Sequence, residues 1–259
     1  MLLIDKFSIK LLAIAVLFAT FMSCGRSEYG EGTKIPIGHT HQYEHSHSDG
    51  TVHTHSDGTQ HIHETATPGS SKIDKVVNTI DEERVIWQKP KQIIQRLGDL
   101  ENKVVADIGA GSGYFSFQLL PQAKKVIAID IDPQAISFMD SVKQFLPQEF
   151  RSKFEARQVG PNSPELKDGE ADVAIIVNTI AYIENKIEYL KVLKKGISKN
   201  GKLLIIDFKK RNIPIGPSAE NKLALSALEQ QLIQAGYKHV IADDQSLDYQ
   251  YIVMATNVD

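Results

Sequence analysis

Three glycines at a spacing of two, Gly109, Gly111 and Gly113, stand between an apolar run at 103–108 and an amphipathic stretch that continues to Leu120. Without a Cβ, such a loop turns tightly and lets its backbone come close to a ligand. The helix that follows offers N–H donors with no partner inside the helix. A carboxylate, Asp107, lies two residues before the first glycine, and another, Asp130, ends the next apolar run 17 residues after Gly113. An acid in that second place accepts hydrogen bonds from ribose hydroxyls. The spacing is Gly-x-Gly-x-Gly and not the Gly-x-Gly-x-x-Gly of a dinucleotide loop. A carboxylate at Asp107 repels a pyrophosphate and suits a ligand with a cationic end.

The second constellation is histidine. Eight of the nine histidines lie between His39 and His63. An eight-residue repeat sets them in pairs two residues apart: His45 and His47, His53 and His55, His61 and His63. In an extended segment, residues i and i+2 point the same way. The Ser-Asp-Gly after each of the first two pairs is a turn signal that folds one pair back toward the next. Four imidazoles suit Zn, Cu(II) or Ni(II), and the spacing does not choose among them. A solvated polar tract or a pH-responsive tether is the alternative. The third feature is a lone thiol, Cys24, which excludes an internal disulfide, a Cys-rich zinc site and an iron–sulfur cluster.

The elements that position the glycine loop alternate. Residues 81–98 read as a helix broken near Pro90. Strands are expected at 103–108, 126–131, 154–159, 171–178, 202–208, 239–242 and 249–255. Helices are expected through Leu120 and at 133–146, 183–197 and 218–235, with Asn200 and Gly201 closing the third of these. Strand–helix alternation argues for a doubly wound α/β sheet. The run at 171–178 is apolar throughout, as a parallel strand buried on both faces requires.

The stretch from Asp107 to Phe115, with Ile127 to Pro133, resembles motif I and its acidic partner in class I S-adenosylmethionine (SAM)-dependent methyltransferases. The likeness continues through 171–178 and 201–210. Trp87 to Pro90, Ile215 to Pro217 and Tyr249 to Tyr251 are similar to flanking segments of a bacterial small-molecule subgroup. The resemblance implies a Rossmann-like seven-stranded sheet with its last strand antiparallel. It also implies SAM at the carboxyl ends of the first, second and fourth strands, held by Asp107, Gly109, Ala110, Gly111, Gly113, Asp130 and Ile131, with Asn178 near its methionine end. Tyr182, Asp207 and Tyr251 are the catalytic candidates facing a small-molecule or lipid-like substrate. The chain departs from the pattern in three places. Asn162 or Ser163 stands where relatives carry an adenine-contacting acid. Ala181 and Tyr182 replace a His-His pair. The Asn-Pro-Pro-Tyr loop of amino-group DNA methyltransferases is absent. With a net charge of −3, no nucleic-acid partner is expected.

The remaining quarter of the chain is of another kind. Lys6 and Lys10 flank a twelve-residue apolar run, 11–22. As a helix it rises about 18 Å, short of the ~30 Å hydrocarbon core, so a cleaved signal is the better reading. The four residues ending at Cys24 resemble a bacterial lipobox, which implies diacylation of Cys24 and stable membrane anchoring. Residues 1–23 are therefore expected to be a lipoprotein signal, 24–71 a disordered His-rich tether, and 72–259 the methyltransferase domain, anchored at the bacterial cell envelope and facing the periplasm or in the outer membrane. A start at Met22 would instead leave the chain cytoplasmic. The competing function is a lipid-anchored metal-binding protein whose methyltransferase-like domain is a non-catalytic binding module.

Overall fold

Continuous apolar runs form the central strands, whose consecutive residues are buried on both faces. The computed structural model of the chain describes residues 53–54, 60–61 and 82–258, with side chains from Arg84 onward. The signal segment, Cys24, His45, His47, His55, His63 and most of the tether lie outside the described residues. The chain divides into two units, 1–66 and 67–259. In the first, His53–Thr54 pairs antiparallel with Gln60–His61, and His53 and His61 are register partners.

The second unit holds strands β1 (Val104–Ile108), β2 (Lys125–Asp130), β3 (Phe154–Gln158), β4 (Ala171–Val177), β5 (Ile197–Phe208), β6 (Lys238–Asp243) and β7 (Gln250–Thr256). They form one sheet in the order 3-2-1-4-5-7-6. The first five strands are parallel, and β7 runs antiparallel to both β5 and β6. This is the expected Rossmann-like seven-stranded sheet.

Among the described residues, seven α-helices complete it: α1 (Glu82–Gln88), α2 (Pro90–Leu97), α3 (Tyr114–Leu119), α4 (Pro133–Lys143), α5 (Gln148–Arg151), α6 (Lys186–Gly196) and α7 (Leu225–Gln234). Alternate strand residues feed two cores. Val105, Val126, Val173 and Ile206 meet α2, α3 and α4 on one face. Ala106, Ile127, Ala174 and Ile205 meet α6 and α7 on the other. The predicted break near Pro90 falls at Lys89, whose left-handed backbone (φ 50°) separates α1 from α2.

Two boundaries differ most from expectation; smaller shifts end α4 at Lys143 and start α6 at Lys186. Asn200 and Gly201 do not end α6. That helix stops at Gly196, and β5 starts at once at Ile197. Asn200, at φ 61°, instead forms a bulge within β5, where the partners of Ala171 and Val173 are Ile197 and Lys202. Asn257 closes it, accepting from Asn200 N at 2.6 Å and donating to Gly201 O at 2.9 Å. The helix expected from 218 begins only at Leu225, because 219–223 wraps a cavity beyond the end of β5.

Candidate active site

The carboxyl ends of β1, β2, β4 and β5 lie side by side, the place where open α/β sheets bind ligands. Gly109 N and Ala110 N both donate to Ile129 O, at 2.8 and 3.0 Å, which folds the loop after β1 over the end of β2. A Cβ on Gly109 would stand 2.4 Å from Thr179 Oγ1, so only glycine fits there. Gly111 is the opposite case. Its φ is 55°, and a Cβ on it would meet nothing within 4 Å, so this is the open side of the loop. Gly113 caps α3.

The acidic residues take distinct roles. Asp130 holds the loop: its Oδ2 accepts from Gly111 N at 2.7 Å and its Oδ1 from Asp132 N at 3.0 Å. Ile131 beside it is 57% exposed, an apolar surface with no protein cover. Asp107 is buried and accepts from Ser116 Oγ at 2.6 Å. Burial raises its pKa to about 6, against the lowering effects of the Ser116 hydrogen bond and the Arg84 charge. In the unfolded chain this carboxyl titrates near 3.8, so the folded apo domain binds the extra proton between the two values. Apo stability is therefore expected to fall as pH rises from about 4 to 6, by on the order of 3 kcal/mol. Thermal unfolding of Asp107→Asn, which carries no such proton, should lack that slope.

Arg84 was not foreseen from the sequence, where α1 shows only as a flanking helix. Its guanidinium lies over the Tyr114 ring, 4.3 Å from the centroid, which brings a cation to the Asp107 side of the loop. Its Nε donates to Gln88 Oε1, Gln88 Nε2 donates to Gln250 Oε1 at 3.0 Å, and Gln250 Nε2 donates to Asn178 Oδ1. This buried relay ties α1 through the start of β7 to the residue after β4, which holds a left-handed φ of 57°. Gln250→Leu leaves Gln88 Nε2 without its acceptor and Asn178 Oδ1 without its donor, and a buried unsatisfied group costs about 1–3 kcal/mol. A loss of ~2 kcal/mol or more in urea unfolding is expected, with faster amide exchange in α1. The other flanking motifs meet at Phe208: Trp87 packs on its ring at 5.8 Å, and a Cβ on Gly216 would stand 2.7 Å from it.

An open cavity of about 310 Å³ is lined by Ala181, Tyr182, Lys186, Glu220, Asn221, Lys222 and Leu223. Tyr182 lines it and is exposed. Asp207 is buried behind Ala181, accepting from Ala181 N at 3.3 Å and Phe208 N at 2.7 Å, and burial raises its pKa. Tyr251 is buried, its hydroxyl donates to Leu223 O at 3.2 Å, and burial pushes its pKa upward. Of the three, only Tyr182 presents a side chain to the cavity. Lys186, missed in the sequence, stands there too; burial lowers its pKa, and Asp207 opposes this. In the loop after β3, Ser163 Oγ accepts from Glu165 N, and Glu165 Oε1 accepts from Gly160 N at 3.2 Å. A carboxylate thus does reach that strand end, from three residues further along than Asn162. His239 lies in β6, whose first residue pairs with Thr256 at the opposite end of the sheet. Within residues 82–258, the one histidine therefore does not reach the site.

A buried carboxylate beside a cation, an open glycine loop, an acid at the end of β2 and an exposed apolar side chain next to it fit SAM. This site on this strand order defines a class I SAM-dependent methyltransferase. The methyltransferase domain family matches residues 99–254, and the chain belongs to it. A SAM-dependent methyltransferase from Aquifex aeolicus shares the fold at a TM-score of 0.62, with 24% identity over 73% of this chain and 98% of that one. The tRNA U34 carboxymethyltransferase of a Sulfurovum species is 31% identical over 110 residues, 42% of this chain and 36% of its own length. The ribosomal protein L11 methyltransferase of Acinetobacter baumannii is 41% identical over 78 residues, 25% of this chain and 26% of that protein. The chain thus spans well under half the length of these curated relatives.

Proposed function

We propose that this methyltransferase acts on a small molecule or lipid-like substrate and is anchored to the bacterial cell envelope through Cys24. The cavity carries the substrate reading. At about 310 Å³, open to solvent and lined by Ala181, Tyr182, Lys186 and 220–223, it has the size of a small-ligand site. The net charge of −3 speaks against a nucleic-acid acceptor.

Bound SAM supplies a methyl group on a sulfonium, which is electrophilic without further activation. The chain's task is then alignment and exclusion of water. Asp107 would hold the cationic ammonium and Arg84 the carboxylate of the methionine end, with Asn178 positioned by Gln250. Asp130 would accept from the ribose hydroxyls, and Ile131 would offer the adenine an apolar surface. Tyr182 and Lys186 face the acceptor. In the test, the full chain is incubated with methyl-labelled SAM and, in separate arms, total tRNA and a small-molecule and lipid extract of bacterial envelopes. Label in the extract and not in tRNA is expected. Label in tRNA alone overturns the reading.

The anchor is tested by mass spectrometry of the Cys24 peptide and by Cys24→Ala, which should move the chain from the membrane to the soluble fraction. We further infer that the histidine repeat binds a transition metal such as Zn. Its support is the backbone register, in which His53 is the antiparallel partner of His61. Zinc calorimetry on the full chain should show binding that is lost when His53 and His61 are both changed to Ala.

A further inference from the structure

Lysine is almost never fully buried unless its charge is paired. Lys222 is 3% exposed. Its Nζ donates to Arg211 O at 3.0 Å and lies 6.0 Å from the Phe208 ring centroid. Lys186, half-buried on the same cavity, donates its Nζ to Ile183 O at 2.6 Å. Each ammonium has three donors, and one neutral carbonyl uses one of them. Among the described residues, no carboxylate forms an ion pair with either lysine. The charges that face them are few. Glu220 sits on the cavity rim, fully exposed; it is hydrogen-bonded to Ser218, and the Lys210 and Lys222 charges act on it from a distance. Asp207 acts on Lys186 in the same way, but its oxygens are turned toward Ala181 N and Phe208 N. Lys210 adds a further cation, its Nζ donating to Lys222 O at 2.8 Å. The wall thus carries two lysines, neither within 4 Å of a carboxylate among the described residues, beside a space the size of a small molecule.

We propose that the methyl acceptor is a small anionic molecule whose carboxylate or phosphate group docks between Lys186 and Lys222. This deepens the small-molecule reading and rests on it. An anion there offsets the cost of a buried cation and supplies acceptors for the spare donors, and charge-assisted hydrogen bonds of this kind are the stronger ones. The docked group fixes one end of the acceptor against the far wall of the cavity and leaves the other end to meet Tyr182.

The test uses the full chain with isotopically labelled lysine. Its Cε–Hε resonances are followed by NMR while inorganic phosphate and, separately, acetate are added; SAM binding is measured in parallel by calorimetry. Saturable shifts of two lysine resonances are expected, assigned by Lys186→Met and Lys222→Met. Each substitution should weaken phosphate binding about tenfold, the loss of one charge-assisted contact, while SAM affinity stays within about twofold. If Lys222→Met fails to fold, the wild-type titration and Lys186→Met still decide. No saturable shift in a chain that binds SAM overturns the anionic-acceptor proposal and leaves the methyltransferase reading standing. Phosphate binding that survives Lys186→Met unchanged overturns it as well. Failure to bind SAM in a folded chain strikes the underlying reading instead.

Discussion

Asp130→Ala is expected to weaken SAM binding about 100-fold while leaving a folded domain. The Asp130 carboxylate does two things at once. It fixes the glycine loop through Gly111 N at 2.7 Å, and it stands at the end of β2 where ribose hydroxyls need an acceptor. Hydrogen bonds to charged groups are worth about 1.5–3 kcal/mol each, so losing two removes roughly 3 kcal/mol, or ~100-fold. Neighbouring Asp132 is the control. Its carboxylate caps α4, accepting from Gln134 N at 2.8 Å. Asp132→Ala should cost about 1 kcal/mol of stability, the usual effect of losing a cap, with little change in affinity. Calorimetric titration of both variants, with thermal melts alongside, separates a binding role from a structural one. Equal affinities for Asp130→Ala and the unsubstituted chain would remove the ribose assignment.

The second large effect divides the glycine loop into a structural half and a ligand half. Gly109→Ala drives a methyl to within 2.4 Å of Thr179 Oγ1 and Cγ2, at a left-handed φ of 71°. Overpacking of this kind costs about 1–3 kcal/mol, and a left-handed alanine adds roughly 1–2 more. The summed loss, about 2–5 kcal/mol, is a large fraction of a domain's ordinary stability. Gly111→Ala meets no atom within 4 Å, so it carries only the left-handed strain, about 1–2 kcal/mol. Its methyl nevertheless occupies the open side of the loop, where the ligand backbone contact is made. We expect Gly109→Ala to be recovered in low yield with a much reduced melting temperature. Gly111→Ala should melt a few degrees below the unsubstituted chain and yet bind SAM at least tenfold more weakly. Gly111→Ala with normal affinity would show that the ligand does not lie on that side.

Much of this arrangement was legible because its determinants are local. The glycine loop needs left-handed backbone, the strands need apolar runs, and the order of elements limits the sheet. Asp107, Asp130 and Asn178 are found together because each ends a strand. Other features depend on long-range contacts that no window of sequence carries. Asn200 and Gly201 prefer a left-handed backbone whether they end a helix or make a bulge; Asn257, far along the chain, decides for the bulge. Tyr251 ends up beneath the cavity because its hydroxyl meets Leu223 O, and its strand neighbour Gln250 carries the functional tie to Asn178. Arg84 reaches the Asp107 side only because Lys89 breaks the first helix from the second and Gln88 anchors it to β7. Lys222 is buried because the segment after β5 folds back on itself, with Lys222 Nζ donating to Arg211 O and Lys210 Nζ to Lys222 O. The Glu165 carboxylate reaches the end of β3 by a turn back to Gly160 N, which composition alone does not reveal.

The most direct test of the account is a calorimetric titration of SAM into the full chain at pH 7 and again near pH 5. The account predicts saturable binding of one SAM per chain, weaker at the lower pH because Asp107, with a pKa of about 6, must release its proton to accept the ammonium. A chain that melts cooperatively and yet takes up no SAM at either pH would contradict it.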